Sequence, residues 1–146
     1  MRVSDIIARK GGTVTTIARN APLATAVGLM AAAQIGALVV DDGDGRVEGM
    51  LSERDVVLAL SRWGSQAASR TVGEAMVADP MTANAGDPVL AVMADMTHRR
   101  ARHVPVVRDG RLVGILSIGD VLKSRLDEKT QENLVLQDMA RWSRAA

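Results

Sequence analysis

Gly114-Ile115-Leu116-Ser117-Ile118-Gly119-Asp120 has a twin earlier in the chain, Gly49-Met50-Leu51-Ser52-Glu53-Arg54-Asp55. Each stretch reads as the end of a short apolar strand, a serine where a helix should start, and a carboxylate three residues further on. A serine at a helix N-cap offers its oxygen to free backbone N–H groups, and an aspartate in the first turn sits at the positive end of the helix dipole. The pattern G-x-x-S-x-x-D thus occurs twice, and its flanks repeat with it. Pro22-Leu23 matches Pro88-Val89 and Met30 matches Met96 at one offset (88 − 22 = 96 − 30 = 66). The run 35–40 follows the same register against 101–106, and by the two glycines the offset is 65 (114 − 49). A self-similarity sustained over roughly 50 residues in each half makes the chain a tandem duplication.

Outward from the motifs, Val3 to Arg9 is expected as a short helix broken by Lys10-Gly11-Gly12, and Thr13 to Ile17 as a strand. Pro22 suits the first turn of a helix whose Leu23, Ala26, Val27 and Met30 share a core face, with Gly36 ending it. Ala37 to Val40 and Arg46 to Leu51 form a hairpin, and Ser52 caps a helix to about Trp63. The aspartates of the intervening turn do not make a calcium loop, because a frame starting at Asp42 places Arg46 and Val47 where an acid and a glycine are needed. The small, polar stretch from Gly64 to Ser69 reads as a connection. The second copy follows the same order: a lead-in helix near Gly73 to Val77, a strand near Met81 to Ala83, and a helix from Pro88 to Arg99. Strands His103 to Val107 and Arg111 to Leu116, joined at Asp109-Gly110, then lead to a helix from Ser117 to Arg125. Beyond Leu126 there is no Gly or Pro, and Val135, Met139 and Trp142 fall on one helical face, as expected of a helix that packs on its own domain or on a dimer partner.

Composition narrows the function. The chain has 146 residues and a net charge of +1, from 18 basic and 17 acidic side chains, so no strong field favours nucleic acid or an anionic membrane. Cysteine is absent, which excludes disulfides and thiol chemistry. The first ten residues lack the apolar core of a signal peptide and no run approaches a membrane span, so a soluble cytoplasmic protein is expected. Phe and Tyr are absent, leaving Trp63 and Trp142 as the aromatic residues. A bound purine would therefore lie between aliphatic side chains and be read by backbone groups, and the stacking typical of single-stranded nucleic-acid binding is not available. No nucleic-acid or membrane partner is expected. His98 and His103 are five apart rather than four, and no HExxH, Walker A or G-x-S-x-G pattern occurs, so neither a metal site nor an enzyme is expected.

A carboxylate at a helix start, close behind a glycine that lets the backbone approach, can accept hydrogen bonds from two adjacent hydroxyls, such as the 2′ and 3′ hydroxyls of a ribose. The same Ser and Asp could equally do no more than cap the helix. Read as one isolated copy, the pattern leaves both roles open.

The ordered elements resemble a CBS domain, of the cystathionine-β-synthase type, in each half, and together a CBS pair or Bateman module. The resemblance is carried by Met30-x-x-x-x-Ile35 and Met96 with His98-Arg99-Arg100, by the strands Ala37–Val40 and His103–Val107, by the twice-occurring Asp-Gly-Arg-x-x-Gly turn, and by Ser-x-x-Asp. It covers Val3 to about Leu126 and is closest to small stand-alone bacterial proteins of this type. It implies an α+β fold of two β-α-β-β-α repeats related by a pseudo-two-fold axis, their small sheets packed together. Repeat 1 would span 1–63, a linker 64–70, repeat 2 71–126 and a helical tail 127–146. It further implies two clefts for an adenosyl ligand, and two copies of the motif in such a frame favour the ribose role. Asp120 and Ser117 would hold ribose in one cleft, with Thr82, His103, Val104, Pro105 and Ile118 lining the base. Asp55 and Ser52 would do so in the other, with Thr16, Ala37 and Leu38. Arg102, His103 and Arg54 would meet phosphate, whereas Arg99 and Arg100 could equally complement a helix C-terminus. Glu53, where the second copy has Ile118, makes the Asp120 cleft the stronger one. The expected ligand is AMP or ATP as a regulator rather than a catalytic cofactor, with NADH or S-adenosylmethionine as further candidates. The expected partners are a second copy of the chain and a protein effector that the sequence does not identify. The alternative is a ligand-independent scaffold with vestigial clefts.

Overall fold

The computed structural model describes residues 1–145. In chain order the elements are α1 (Val3–Lys10), β1 (Thr16–Ile17), α2 (Leu23–Ala33), β2 (Ala37–Asp41), β3 (Val47–Ser52) and α3 (Glu53–Trp63). A 3-10 segment (Gly64–Ser69) leads to α4 (Val72–Ala75), β4 (Val77–Ala78), β5 (Ala83–Asn84), α5 (Val89–Arg99), β6 (His103–Arg108), β7 (Arg111–Ser117) and α6 (Ile118–Ala145). The architecture is α+β, with one sheet in the order β1-β2-β3-β4 and a second in the order β5-β6-β7. In each copy a short strand runs parallel to the first strand of an antiparallel hairpin.

Period-two alternation sorts the hairpin side chains into two layers. Leu38, Val40 and Leu51 pack with Leu23, Ala26 and Met30 of α2, and in the second copy Val104, Val106 and Leu116 pack with Val89, Val92 and Met96 of α5. The opposite face of the first hairpin, Ala37, Val39 and Met50, meets Leu112 and Ile115 of β7, so the two sheets share an inner layer. The turn of the first hairpin is closed by Asp42, whose Oδ1 accepts from the N–H groups of Asp44 (2.8 Å) and Arg46 (3.1 Å). Its backbone is tied to the second copy where Leu112 N–H donates to Gly45 O at 2.8 Å.

The lead-in segments cross over. α1 stands ahead of the first copy, yet Val3 and Ile6 are buried in the core of the second, and Val3 N–H donates to Asp87 O at 2.9 Å. Reciprocally, Val72 of α4 is buried in the first core, its N–H donates to Ala21 O at 2.8 Å, and β4 pairs with β3. The motif glycines make this possible. A Cβ on Gly114 would come within 2.7 Å of Ile7 Cδ1, and one on Gly49 would overlap Met76 Sδ and reach Val77 O at 2.9 Å. Both glycines therefore admit the exchanged segment, and the close backbone approach that the sequence suggested for a ligand is already taken.

Other elements differ from expectation in instructive ways. α2 and α5 end on the left-handed residues Gln34 (φ 53°) and Arg100 (φ 54°), not on Gly36. The second lead-in helix is a single turn because Val77 and Ala78 leave it to extend the first sheet, and the following strand starts at Ala83 rather than Met81. The connection between copies is a 3-10 turn whose Ala67 is buried in the first core, with the Arg62 and Arg70 guanidinium groups 5.6 and 5.1 Å from the Trp63 ring. The helix after Ser117 continues without a break through the tail.

Gly49→Ala should destabilise the protein by about 1–3 kcal/mol, the range for overpacking a tight site. Gly114→Ala should cost less, because it meets a movable Ile7 side chain rather than a backbone carbonyl. Ile7→Ala combined with Gly114→Ala should cost less than the two changes summed. Urea midpoints measure all three, and strict additivity of the last pair would contradict the crossover contact.

Candidate functional site

The mouths of α3 and α6 are built alike. Ser52 and Ser117 occupy register-equivalent places, opposite Ala37 and His103 respectively. Glu53 N–H donates to Gly36 O at 3.0 Å, as Ile118 N–H donates to Arg102 O at 2.9 Å. At each mouth serine and aspartate cap reciprocally. Asp55 N–H donates to Ser52 Oγ (3.3 Å), while Ser52 N–H (2.8 Å) and its hydroxyl (2.9 Å) donate to Asp55 Oδ2. Asp120 N–H donates to Ser117 Oγ (3.1 Å), and Ser117 N–H donates to Asp120 Oδ2 (2.9 Å). The capping role is thus real in both copies. It occupies Oδ2 alone, and among the described residues no hydrogen bond reaches Oδ1 of either aspartate. A carboxylate oxygen has two lone pairs, so each mouth keeps acceptor capacity for hydroxyl groups.

The two mouths differ in what stands beside them. Lys10, at the end of the exchanged α1, donates from Nζ to Asp120 Oδ2 at 2.7 Å and to Ile115 O at 2.9 Å. Burial alone would push the Asp120 carboxyl up. The Lys10 hydrogen bond, joined by the Ser117 N–H and hydroxyl and by the lysine's charge, outweighs burial and holds the group below its ordinary value. Sequence reasoning missed Lys10, because matching the lead-ins through Val3/Val72 and Ile7/Met76 (72 − 3 = 76 − 7 = 69) gives it an acid, Asp79, as counterpart. No repeat pattern could mark it.

His103 reaches from the second copy to the first. Its Cε1 and the Glu53 carboxylate lie 3.6 and 3.7 Å from where a Gly36 Cβ would stand, so both side chains flank the backbone at position 36. The half-buried imidazole is pushed down by its burial and by Lys10, partly opposed by Asp120 and Glu53, with Arg102 adding a further downward push. His103 and Glu53, assigned from sequence to different clefts, therefore share one wall.

The remaining candidates divide by the faces they occupy. Pro105 and Ala37 follow the cleft-side alternation and are buried. Leu38 and Val104 point into the helix-side cores, so what they offer a base is main chain. Thr16 is half-buried beside Val39, and Thr82 is exposed one residue ahead of the Ala83–Val106 pair. Ile118 packs partly against the second core. Arg54 and Arg102 are exposed and have no carboxylate partner among the described residues, and Arg100 caps α5. No group of three His, Cys, Asp or Glu placed to hold a metal occurs among the described residues. The open depressions lie elsewhere: one of about 300 Å³ at the far end of β5 and β6, lined by Asn84, Gly86 and Asp109 among others, and one on the tail.

No helix among the described residues is long and apolar enough to cross a membrane. Comparison with known proteins agrees with the architecture. The model of the CBS domain matches residues 3–62 and again 72–127. The mitochondrial CBS domain-containing protein CBSX3 of Arabidopsis thaliana is 31% identical over 138 residues, covering 89% of this chain and 67% of that protein. The crystal structure of the CBS-domain containing protein ATU1752 from Agrobacterium tumefaciens superposes with a TM-score of 0.81 at 40% identity, over 86% of this chain and 99% of the other. A structure of CBSX2 in complex with AMP shares the fold at a TM-score of 0.74 and 23% identity, over 88% and 98% of the two chains. With two matches of the family model in tandem and a fold to go with them, the chain belongs to the CBS domain family.

Proposed function

We propose that the chain is a regulatory sensor that binds an adenosine nucleotide of the AMP or ATP kind in its clefts and passes occupancy to a protein effector. CBS pairs are in general ligand-sensing regulatory modules, and the fold neighbour CBSX2 has been crystallised with AMP. The observation that carries the reading is the unused Oδ1 at two register-equivalent helix mouths, each beside a capping serine. Two hydroxyls of a ribose fit that acceptor, with NADH and S-adenosylmethionine as further ligands having the same diol.

Charge favours the Asp120 cleft for a phosphorylated ligand. Lys10 neutralises Asp120 there and Arg102 balances the Glu53 that shares the His103 wall, whereas Asp55 has no cationic partner among the described residues. Arginine suits phosphate, and His103 gains from an anion beside it. Dimerisation belongs to the same proposal: Val57 and Leu60 of α3 with Leu122 and Leu126 of α6 are apolar, each more than half exposed, and a symmetric second copy would cover them.

Calorimetric titration with AMP, ATP, NADH and S-adenosylmethionine tests the reading. Charge-assisted hydrogen bonds contribute roughly 1.5–3 kcal/mol, so Asp120→Ala should weaken AMP about ten- to a hundredfold in a protein that remains folded. Asp55→Ala should affect AMP less. Absence of heat with all four ligands would leave the ligand-independent scaffold in place.

Acid should act through His103. Its pKa lies below the ordinary 6.5, so the unfolded chain takes up a proton that the folded one refuses. The stability this contributes is present above pH 6.5 and is lost as pH falls from there through the folded value. Urea midpoints should therefore drop from pH 7.5 to 5.5 more in the parent protein than in His103→Gln. Asp120, also depressed, acts in the same direction around and below pH 3.8, so the two windows are separate.

A further inference from the structure

α6 runs on past the point where the family match ends at residue 127, and from Asp127 to Ala145 it carries about 28 Å of helix that no part of its own module covers. Residues 129–145 are all exposed, Trp142 at 80%. Helices in proteins draw most of their stability from packing an amphipathic face, and the pairs within this one, such as Lys129–Glu132 at 3.4 Å, add only about 0.2–0.5 kcal/mol each. A face for packing is present. At 100° per residue, Val135, Met139 and Trp142 lie within about 60° of one another, in line with buried Val121 and Ser124 and opposite Leu122 and Leu126.

The distribution of charge indicates what covers it. Asp127, Glu128 and Glu132 against Lys129 leave the first half of the tail at −2, and Arg141 and Arg144 against Asp138 leave the second half at +1. A parallel pair of such helices sets like halves together; an antiparallel pair sets each acidic half beside a basic one. The net charge of −1 disfavours an anionic membrane surface. We propose that the tail stripe pairs antiparallel with the same stripe of a second copy of this chain, closing a two-fold contact separate from the one Leu122 and Leu126 would make. This deepens the proposed self-association and does not depend on nucleotide binding.

The absence of cysteine gives a direct test in the full chain. Glu132→Cys and Ser143→Cys each introduce a single thiol, on the two sides of the stripe along the helix. On mild oxidation the mixture of the two should give a mixed disulfide about tenfold faster than either variant gives its own, as expected when pairing raises the effective concentration. Trp142→Glu in both variants should abolish that advantage, with circular dichroism confirming that the helix remains. Faster disulfide formation within each variant alone would mean parallel tails and overturn the proposal. A protein that sediments as a dimer without forming the mixed disulfide overturns the tail contact and leaves the association of modules standing, whereas one that sediments as a monomer removes both.

Discussion

Two glycines without side chains, Gly49 and Gly114, let the segment ahead of each copy lie against the hairpin of the other, and the rest of the molecule is conditional on that approach. With a Cβ at Gly49, Met76 and the Val77 backbone would have to withdraw, whereas a Cβ at Gly114 would displace the Ile7 side chain. Neither core is then complete within its own stretch of sequence. The first is closed by residues of the second lead-in and the second by residues of the first, while Ala67 in the connection is buried rather than hinged. Two small sheets that share an inner layer and exchange their lids have few ways to open separately, which favours a single cooperative unit over two weakly coupled ones.

The crossover also decides the chemistry of the site. It delivers Lys10 to Asp120, and it delivers no cation to Asp55, so a duplication that looks symmetric in its motifs is unequal in charge. The capping and ligand readings of Ser-x-x-Asp, which look like rivals, use different oxygens. Oδ2 holds the helix mouth, and no hydrogen bond from the described residues reaches Oδ1. A carboxylate fixed by its own N-cap is also preorganised, since the rotamer that caps is the one that presents the second oxygen.

How far the sequence discloses this depends on whether a feature is local. The hairpins, α2 and α5 follow from alternation, proline at the helix start and Asp109-Gly110, all of which act within a few residues. Fold class follows from the repeat. The crossover is invisible, because Val3 and Ile6 have the same apolar chemistry as Val72 and Met76, and nothing in either segment says which core it enters. Gly36 shows the limit of a local signal: a glycine after a helix looks like its cap, but the left-handed turn is made by Gln34. Asp55, Ser52, Asp120 and Ser117 are legible because the cap is local and occurs twice. Lys10 and the proximity of Glu53 to His103 are contacts between copies, and only the assembled fold brings them together.

A ligand can shift a conformational equilibrium only to the extent that it binds the two states differently. In the proposed binding mode the requirement has a physical location. A diol on Oδ1 of Asp120 draws on the same carboxylate whose Oδ2 Lys10 holds, and a phosphate near His103 changes the balance among Lys10, Glu53 and Arg102 around the imidazole. Lys10 ends α1, which is packed into the second core, and six residues later, at Thr16, the chain enters the strand of the first sheet. Any change in the Lys10 contact is therefore felt at a segment that belongs covalently to one copy and by packing to the other. On the other side of the Lys10 contact, α6 carries Asp120 in its first turn and runs uninterrupted to the exposed stripe of the tail. The mouth that would grip the sugar and the surface that would meet a second chain therefore lie on one continuous helix, so a shift at the mouth has a direct path to the tail.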